Sequence, residues 1–166
     1  MKINIKNDLY KRIISLLCSG ICLVLMALKV FKYNVTSSYR DTVVSTSEGI
    51  SLYNFLFNKN LLLLDYKVGE IQSLLKFSYV IVWISFVLCV LSLIILIIGL
   101  VLKKNLFCKI GSILLVSSMI ILILNNFSSK TSYITTRNLN VYTVAYLIAL
   151  LVSIVSLFST LSLKKK

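Results

Sequence analysis

Residues 77–102, FSYVIVWISFVLCVLSLIILIIGLVL, run for twenty-six positions without a charge, and this stretch decides the fold class of the chain. At about 1.5 Å per residue, a helix of this length crosses the roughly 30 Å hydrocarbon core of a bilayer with some tilt. A helix on the surface of a soluble protein carries a polar face, and this stretch has almost none. The sequence therefore predicts a membrane-spanning helix here.

Three further apolar stretches have the length of a span. The chain is 58% hydrophobic, which exceeds the roughly 45–50% apolar content of soluble domains. We expect one domain, residues 1–166: an all-α membrane protein with a four-helix transmembrane bundle. The first span is expected to be retained, because no A-x-A cleavage site follows it. The predicted spans are approximately residues 13–31, 77–102, 106–127 and 141–163.

The distribution of Lys and Arg predicts the orientation of the four spans. Residues 1–12, 103–109 and 164–166 carry ten of these cations in 22 positions, whereas residues 32–76 and 128–140 carry seven in 58 positions. Cytoplasmic segments are enriched in Lys and Arg, so both termini are expected in the cytoplasm of a multi-pass cell-membrane protein.

This orientation assigns each connecting segment to one side of the membrane. Residues 32–76 become a long first extracytoplasmic loop, and residues 128–140 a short second one. Residues 103–105, Lys-Lys-Asn, become a tight cytoplasmic turn between the second and third spans.

Small residues recur at regular intervals along the predicted spans. Helices associate in a bilayer by close backbone approach and by hydrogen bonds, because lipid tails are as apolar as their side chains. A seven-residue interval favours a left-handed bundle, and we expect these residues to mark the packed faces. The helix-packing residues predicted in this way are Ser78, Ser85, Ser92, Gly99, Gly111, Ser118, Ala145, Ala149 and Ser153.

Several kinds of chemistry lack their usual residues in this chain. There is no His and no Cys-x-x-Cys motif, and no Asp, Glu or Arg lies in the central part of a predicted span. Sites built on His, ion-coupled transport and intramembrane proteolysis depend on such groups. We therefore predict no catalytic, cofactor-binding or metal-ligating residue. The net charge of +13 is spread over the ends of the spans, so nucleic-acid binding is not expected either.

The first outer loop is the largest water-facing segment. Residues 34–46 are rich in Thr, Ser, Val and Tyr, which predicts extended structure with a short hairpin around residues 40 and 41. Glu48 and Gly49 are typical of a turn.

Residues 50–57, Ile-Ser-Leu-Tyr-Asn-Phe-Leu-Phe, are unusually apolar for a loop, and such a patch must be covered. This segment either lies on the membrane, caps the bundle as a lid, or docks a protein partner. Tyr53, Phe55 and Phe57 are the candidate contact residues.

The layout of four spans with a long first outer loop resembles that of tetraspan junction proteins such as claudins. Residues 32–76 contain neither Trp nor Cys, so the Trp motif and the two Cys of the claudin loop are missing. The resemblance is confined to the layout, and a shared layout implies no function.

We expect a non-enzymatic protein that acts by protein contact through its outer loop, as a complex subunit, an accessory protein or an immunity-type protein. Its partners would be membrane lipid together with another protein or further copies of itself. The alternative is a small transporter or channel subunit that works as an oligomer. A membrane enzyme is the weakest hypothesis, since no base stands near a candidate nucleophile in the sequence.

Overall fold

The structure is a computed structural model that describes residues 2–39, 42–123, 129–130, 135–141 and 144–163. It is mostly helical, with a small sheet at one end. The helices are α1 (Lys2–Leu25), α2 (Leu52–Phe57), α3 (Val68–Leu74), α4 (Lys76–Val101), α5 (Asn105–Ile123) and α6 (Val144–Leu161). The strands are β1 (Phe31–Tyr39), β2 (Thr42–Ile50), β3 (Leu62–Leu63), β4 (Tyr66–Lys67), β5 (Ser129–Lys130) and β6 (Thr135–Val141).

Three helices, α4, α5 and α6, are long and apolar enough to cross a membrane. Residues 77–102 correspond closely to α4, whereas the other predicted bounds shift. In the region predicted as the third span, α5 begins at Asn105 and is described to Ile123, and residues 124–127 lie outside the described part. In the region predicted as the fourth span, Val141 belongs to β6 and α6 begins at Val144.

The helix in the first predicted span, α1, ends sooner than residues 13–31 suggest. It stops at Leu25, a turn follows, and Phe31 is already the first residue of β1. The apolar run continues past the helix end because Met26 and Val30 are buried. Hydropathy alone does not mark a helix end inside an apolar run.

The four long helices pack against one another in a closed ring. The helix α1 contacts both α4 and α6, and α5 contacts the same two helices from the opposite side. Large apolar side chains point outward from all four helices, whereas many of the buried residues are serines. This arrangement reverses the pattern of a soluble helical protein, and it suits a lipid solvent.

Buried hydroxyls join helices that are distant in sequence. Ser15 of α1, Ser112 of α5 and Ser156 of α6 form a hydroxyl cluster with oxygen–oxygen distances of 2.5 to 3.0 Å. Ser85 and Ser118 each donate a hydrogen bond of 2.8 Å to the backbone carbonyl of the other, which joins α4 to α5. Such bonds replace the hydrophobic driving force that helices lack in lipid.

Two glycines allow α4 and α5 to approach closely. A Cβ atom at Gly99 would lie 2.7 Å from the sulfur and 2.9 Å from the backbone nitrogen of Cys108. A Cβ at Gly111 would lie 2.7 Å from Cγ of Leu96. Gly20 of α1 differs, because a Cβ there would meet nothing within 4 Å.

An arginine ties α1 to the turn between α4 and α5. Arg12 donates from Nη2 to the backbone carbonyl of Lys103 at 2.8 Å, and its Nε donates to Oδ1 of Asn105 at 3.1 Å. The turn closes α4 with Lys103 at φ 54°, while the Lys104 N–H bonds to the Gly99 carbonyl at 3.1 Å. This is a Schellman-type end with lysine in the position that usually holds glycine.

A four-stranded antiparallel sheet lies at the opposite end of the helices, in the order β2-β1-β6-β5. Phe31 of the central strand β1 pairs with Ile50 of β2 and with Val141 of β6. The expectation of an all-α protein is therefore wrong in detail, since residues of both predicted loops join one sheet. We call the strands β1 to β6 together with α2 and α3 the cap.

The β1–β2 hairpin that the sequence predicts is confirmed, with Tyr39 opposite Thr42 and residues 40 and 41 outside the described part. The predicted turn at Glu48 and Gly49 is wrong. Both residues lie inside β2, opposite Tyr33 and Lys32. The strand continues to Ile50 because this side chain is buried in the cap.

The close approach at Gly99 generates a stability prediction. Gly99→Ala is expected to lower the free energy of unfolding by about 2 kcal/mol, because the new methyl group collides with backbone and forces α4 and α5 apart. Gly20→Ala is the matched control, and it is expected to leave stability unchanged or to raise it by up to about 1 kcal/mol. Thermal unfolding in detergent micelles, followed by circular dichroism, measures both. Equal effects of the two substitutions would contradict the packing described for Gly99.

Candidate interaction surface

The short helix α2 is positioned by its cap residue and by one buried face. Its N-cap is Ser51, whose side-chain oxygen accepts a hydrogen bond of 3.1 Å from the Asn54 N–H. Leu52, Phe55 and Leu56 are buried, at the spacing that places three residues on one side of a helix. The apolar residues 50–57 are therefore covered largely by the protein itself.

Hydrogen bonds fix α2 to the end of α1. The Leu52 N–H donates to the Met26 carbonyl at 3.2 Å, and the Tyr53 hydroxyl donates to the Leu23 carbonyl at 3.0 Å. Burial raises the pKa of Tyr53, so this hydroxyl keeps its proton at physiological pH. From the other side, the side-chain amide of Gln72 donates to the Phe55 carbonyl. The position of α2 is thus set by contacts on both flanks.

Aromatic rings join α2 to the beginning of α4. The Phe57 ring lies 5.3 Å from Trp83 and 5.6 Å from Phe86, both in edge-to-face geometry, and Tyr53 lies 5.8 Å from Phe86. Such pairs contribute about 0.5–1.5 kcal/mol each beyond the area they bury.

The three predicted contact residues occupy different environments. Phe55 is 0% exposed and Tyr53 is partly buried, whereas Phe57 is 56% exposed. In this conformation Phe55 offers no surface to a partner, and Phe57 offers an aromatic face beside the first turns of α4.

All but one of the predicted helix-packing residues are buried, Ala145 being partly so. They lie on the faces through which the long helices meet. Ser92, for example, donates a 2.8 Å hydrogen bond to the Gly111 carbonyl across the α4–α5 interface.

The end of the sheet nearest the helices is buried, whereas part of β2 is exposed. The side chains at this end, Phe31, Tyr33 and Leu139, are fully or almost fully buried within the cap. Residues 44–47 of β2 are all exposed, and Val44 is 57% exposed. The sheet is therefore buried at the end nearest the helices and accessible at residues 44–47.

The strand β2 forms an edge of the sheet. It pairs with β1 one residue to one over its whole length, without a bulge. No strand in the described part of the chain pairs with its other side. Near the helices that side approaches the β3 segment, where Glu48 accepts a 2.9 Å hydrogen bond from the Leu64 N–H. An edge without a charge, a proline or a bulge is a template for strand pairing, and residues 42–47 have none of these.

A cavity of about 280 Å³ adjoins the membrane-proximal end of this edge. It lies between β2 and the β3 segment, and Lys29, Gly49 and Leu62 are among the residues that line it. The Lys29 stem packs over Gly49, where a Cβ would come within 3.2 Å of it.

Sequence reasoning singled out residues 50–57 and predicted the β1–β2 hairpin, but it missed that β2 is the edge of a larger sheet. The strand partner of β1 on its other side is β6, which comes from the second predicted loop. Its sequence, Thr-Thr-Arg-Asn-Leu-Asn-Val, shows apolar alternation only at Leu139 and Val141. This short alternation is the only feature of the segment that indicates a strand, and it does not identify the strand with which β6 pairs.

Within the described part of the chain, no three His, Cys, Asp or Glu residues come together as a metal-binding group. The four cysteines are buried thiols. No protein-family model matches the sequence, and no curated protein is significantly similar to it.

The different placement of Phe55 and Phe57 generates a stability prediction. Phe55→Ala is expected to lower the free energy of unfolding by about 3–5 kcal/mol, because it opens a cavity in the cap core. Phe57→Ala is expected to cost about 1 kcal/mol, the value of its edge-to-face contacts. Chemical denaturation in micelles, followed by circular dichroism, measures the two variants against the parent chain. Similar losses from both would contradict the placement of α2.

Proposed function

We propose that this chain is a small, non-enzymatic, multi-pass protein of the cell membrane that acts by protein contact through its cap. It would serve as a complex subunit, an accessory protein or an immunity-type protein. The observation that carries the proposal is the exposed edge of β2, which lies at one end of three helices that are long and apolar enough to cross a membrane.

We further propose that α1 is the fourth span. Its length is adequate, because the 24 residues of α1, Lys2–Leu25, rise about 36 Å, which exceeds the roughly 30 Å of a bilayer core. Two of the charged residues that lower its hydropathy have partners within the protein: Arg12 is 8% exposed and bonds to the α4–α5 turn, and Lys11 donates to the Ser162 carbonyl at 3.4 Å. Its exposed large apolar side chains are Leu9, Tyr10, Ile14, Leu17, Ile21 and Val24.

In a four-span protein of this layout, the cap and the α4–α5 turn lie on opposite sides of the membrane. The excess of Lys and Arg in the turn and the two termini supports a cytoplasmic turn and an extracytoplasmic cap. The cap would then meet partners outside the cytoplasm, in water or at the membrane surface.

Contact fits the structure better than transport through a single chain. Five of the interior hydroxyls are turned toward one another: Ser15 bonds to Ser112 and Ser156, and Ser85 bonds to Ser118. Groups paired in this way hold helices together and do not line an open path.

A crosslinking experiment tests the contact. A photo-activated amino acid placed at Ser47, on the exposed edge, is expected to give one discrete protein adduct in native membranes. Adding Val44→Lys and Thr46→Lys is expected to remove this adduct, because lysines on an edge strand oppose pairing. The adduct is read by gel mobility and identified by mass spectrometry, and either another protein or a second copy of the chain supports the proposal.

Two controls make the result specific. The same photo-activated residue at Ser73, which is exposed on α3, is expected to give no such adduct. Asn58→Lys with Asn60→Lys adds the same charge elsewhere on the cap and is expected to leave the Ser47 adduct intact. Absence of an adduct at Ser47, or identical adducts from Ser47 and Ser73, would refute contact through this edge.

A further inference from the structure

The end of the helices opposite the cap gathers positive charge from three elements. Lys11 and Arg12 come from α1, Lys103 and Lys104 from the α4–α5 turn, and Lys109 from the first turns of α5. We call these five residues the basic end. Asp8 is the one carboxylate among the described side chains of this region. Among the described side chains of this region, the cations therefore outnumber the carboxylates by five to one.

Arg12 is the buried member of the basic end. All its hydrogen bonds within the described part of the chain go to neutral oxygens, those of the Asn105 amide and the Lys103 carbonyl. The carbonyl end of α4 attracts a cation, which offsets part of the cost of burying the guanidinium. A buried cation without a carboxylate partner still favours an anion nearby.

The basic end combines exposed cations with exposed apolar side chains, and this combination indicates what kind of anion it would bind. Lys103 and Lys104 are exposed, and large exposed apolar residues adjoin them: Leu102 before the turn and Leu106 after it. On α1, Leu9 and Tyr10 are exposed next to Lys11 and Arg12. A ligand that fits both surfaces has a negative headgroup and apolar chains.

We propose that the basic end binds the phosphate group of an anionic phospholipid. The lysine ammonium groups would face the phosphate oxygens, with the charge of Arg12 behind them, while Leu102 and Leu106 would contact the acyl chains. The proposal is independent of partner contact at the cap, which lies at the other end of the helices. It depends on the membrane location that the three apolar helices indicate.

Lipid co-purification tests the proposal directly. The full chain is reconstituted in mixed bilayers of phosphatidylcholine and phosphatidylglycerol, then extracted with its surrounding lipid in polymer nanodiscs for mass spectrometry. A lysine near the membrane surface is worth about a fivefold preference for an anionic lipid, so an enrichment of phosphatidylglycerol by at least about fivefold over the bulk is expected. Lys103→Gln with Lys104→Gln and Lys109→Gln is expected to reduce the enrichment to near one.

The matched control is Lys59→Gln with Lys67→Gln and Lys76→Gln, three exposed lysines at the cap end. It removes the same charge and is expected to preserve the enrichment. Replacing Lys103, Lys104 and Lys109 by Arg is expected to preserve the enrichment as well. Lys104→Gln alone, which carries the least risk to folding, is expected to reduce the enrichment in part. No enrichment in the parent chain, or equal loss in both triple Gln variants, would overturn the proposal.

A second arm distinguishes a lipid headgroup from free phosphate, which shares its chemistry. Thermal unfolding is measured in nanodiscs of phosphatidylcholine alone, with and without inorganic phosphate. A chloride salt at equal ionic strength serves as the reference. A headgroup site predicts no stabilisation by inorganic phosphate. Stabilisation by phosphate without lipid enrichment would replace the lipid by a soluble anion and overturn the lipid assignment.

Discussion

The structure depends on hydrogen bonds between helices whose outer surfaces are apolar. Lipid tails solvate the exposed Leu, Ile, Val and Phe side chains of the long helices as well as a protein core would, so burial of those residues provides no force for association. The hydroxyl cluster of Ser15, Ser112 and Ser156 supplies that force at the centre, and Gly99 and Gly111 bring α4 and α5 close enough for dispersion contacts. Arg12 fixes α1 to the α4–α5 turn at one end of the ring.

The cap completes the connection at the other end. The strand β1 follows α1 after a short turn and β6 precedes α6, so pairing of Phe31 with Val141 holds the ends of these helices together. One apolar core runs without a break from buried cap residues such as Phe55 to helix residues such as Met119. The exposed half of β2 is therefore displayed from a base that is coupled to the helices, and this coupling makes the edge suitable for specific contact.

Much of the helical part could be predicted from sequence. Hydropathy identifies helices with an apolar outer surface, and the small residues that recur every seven positions from Ser78 to Gly99 identify the face that packs against other helices. The β1–β2 hairpin could also be predicted, because its residues favour strands. The end of α1 at Leu25 could not, since it is set by tertiary contacts such as the Leu52–Met26 hydrogen bond inside an apolar run. The β1–β6 pairing joins segments far apart in the chain, and no local pattern encodes such a partner. The position of β2 at the edge of the sheet follows from that pairing, so it could not be predicted either.

The central claim is that lipid surrounds four helices, with the cap on one side of the membrane and the α4–α5 turn on the other. Cysteine accessibility in intact cells tests it most directly, because the four native thiols are buried. A cysteine introduced at Thr46 in the exposed edge should react with a membrane-impermeant maleimide in intact cells, whereas one introduced at Lys104 should react only after lysis. Labelling of both sites in intact cells, or of neither before lysis, would contradict the account.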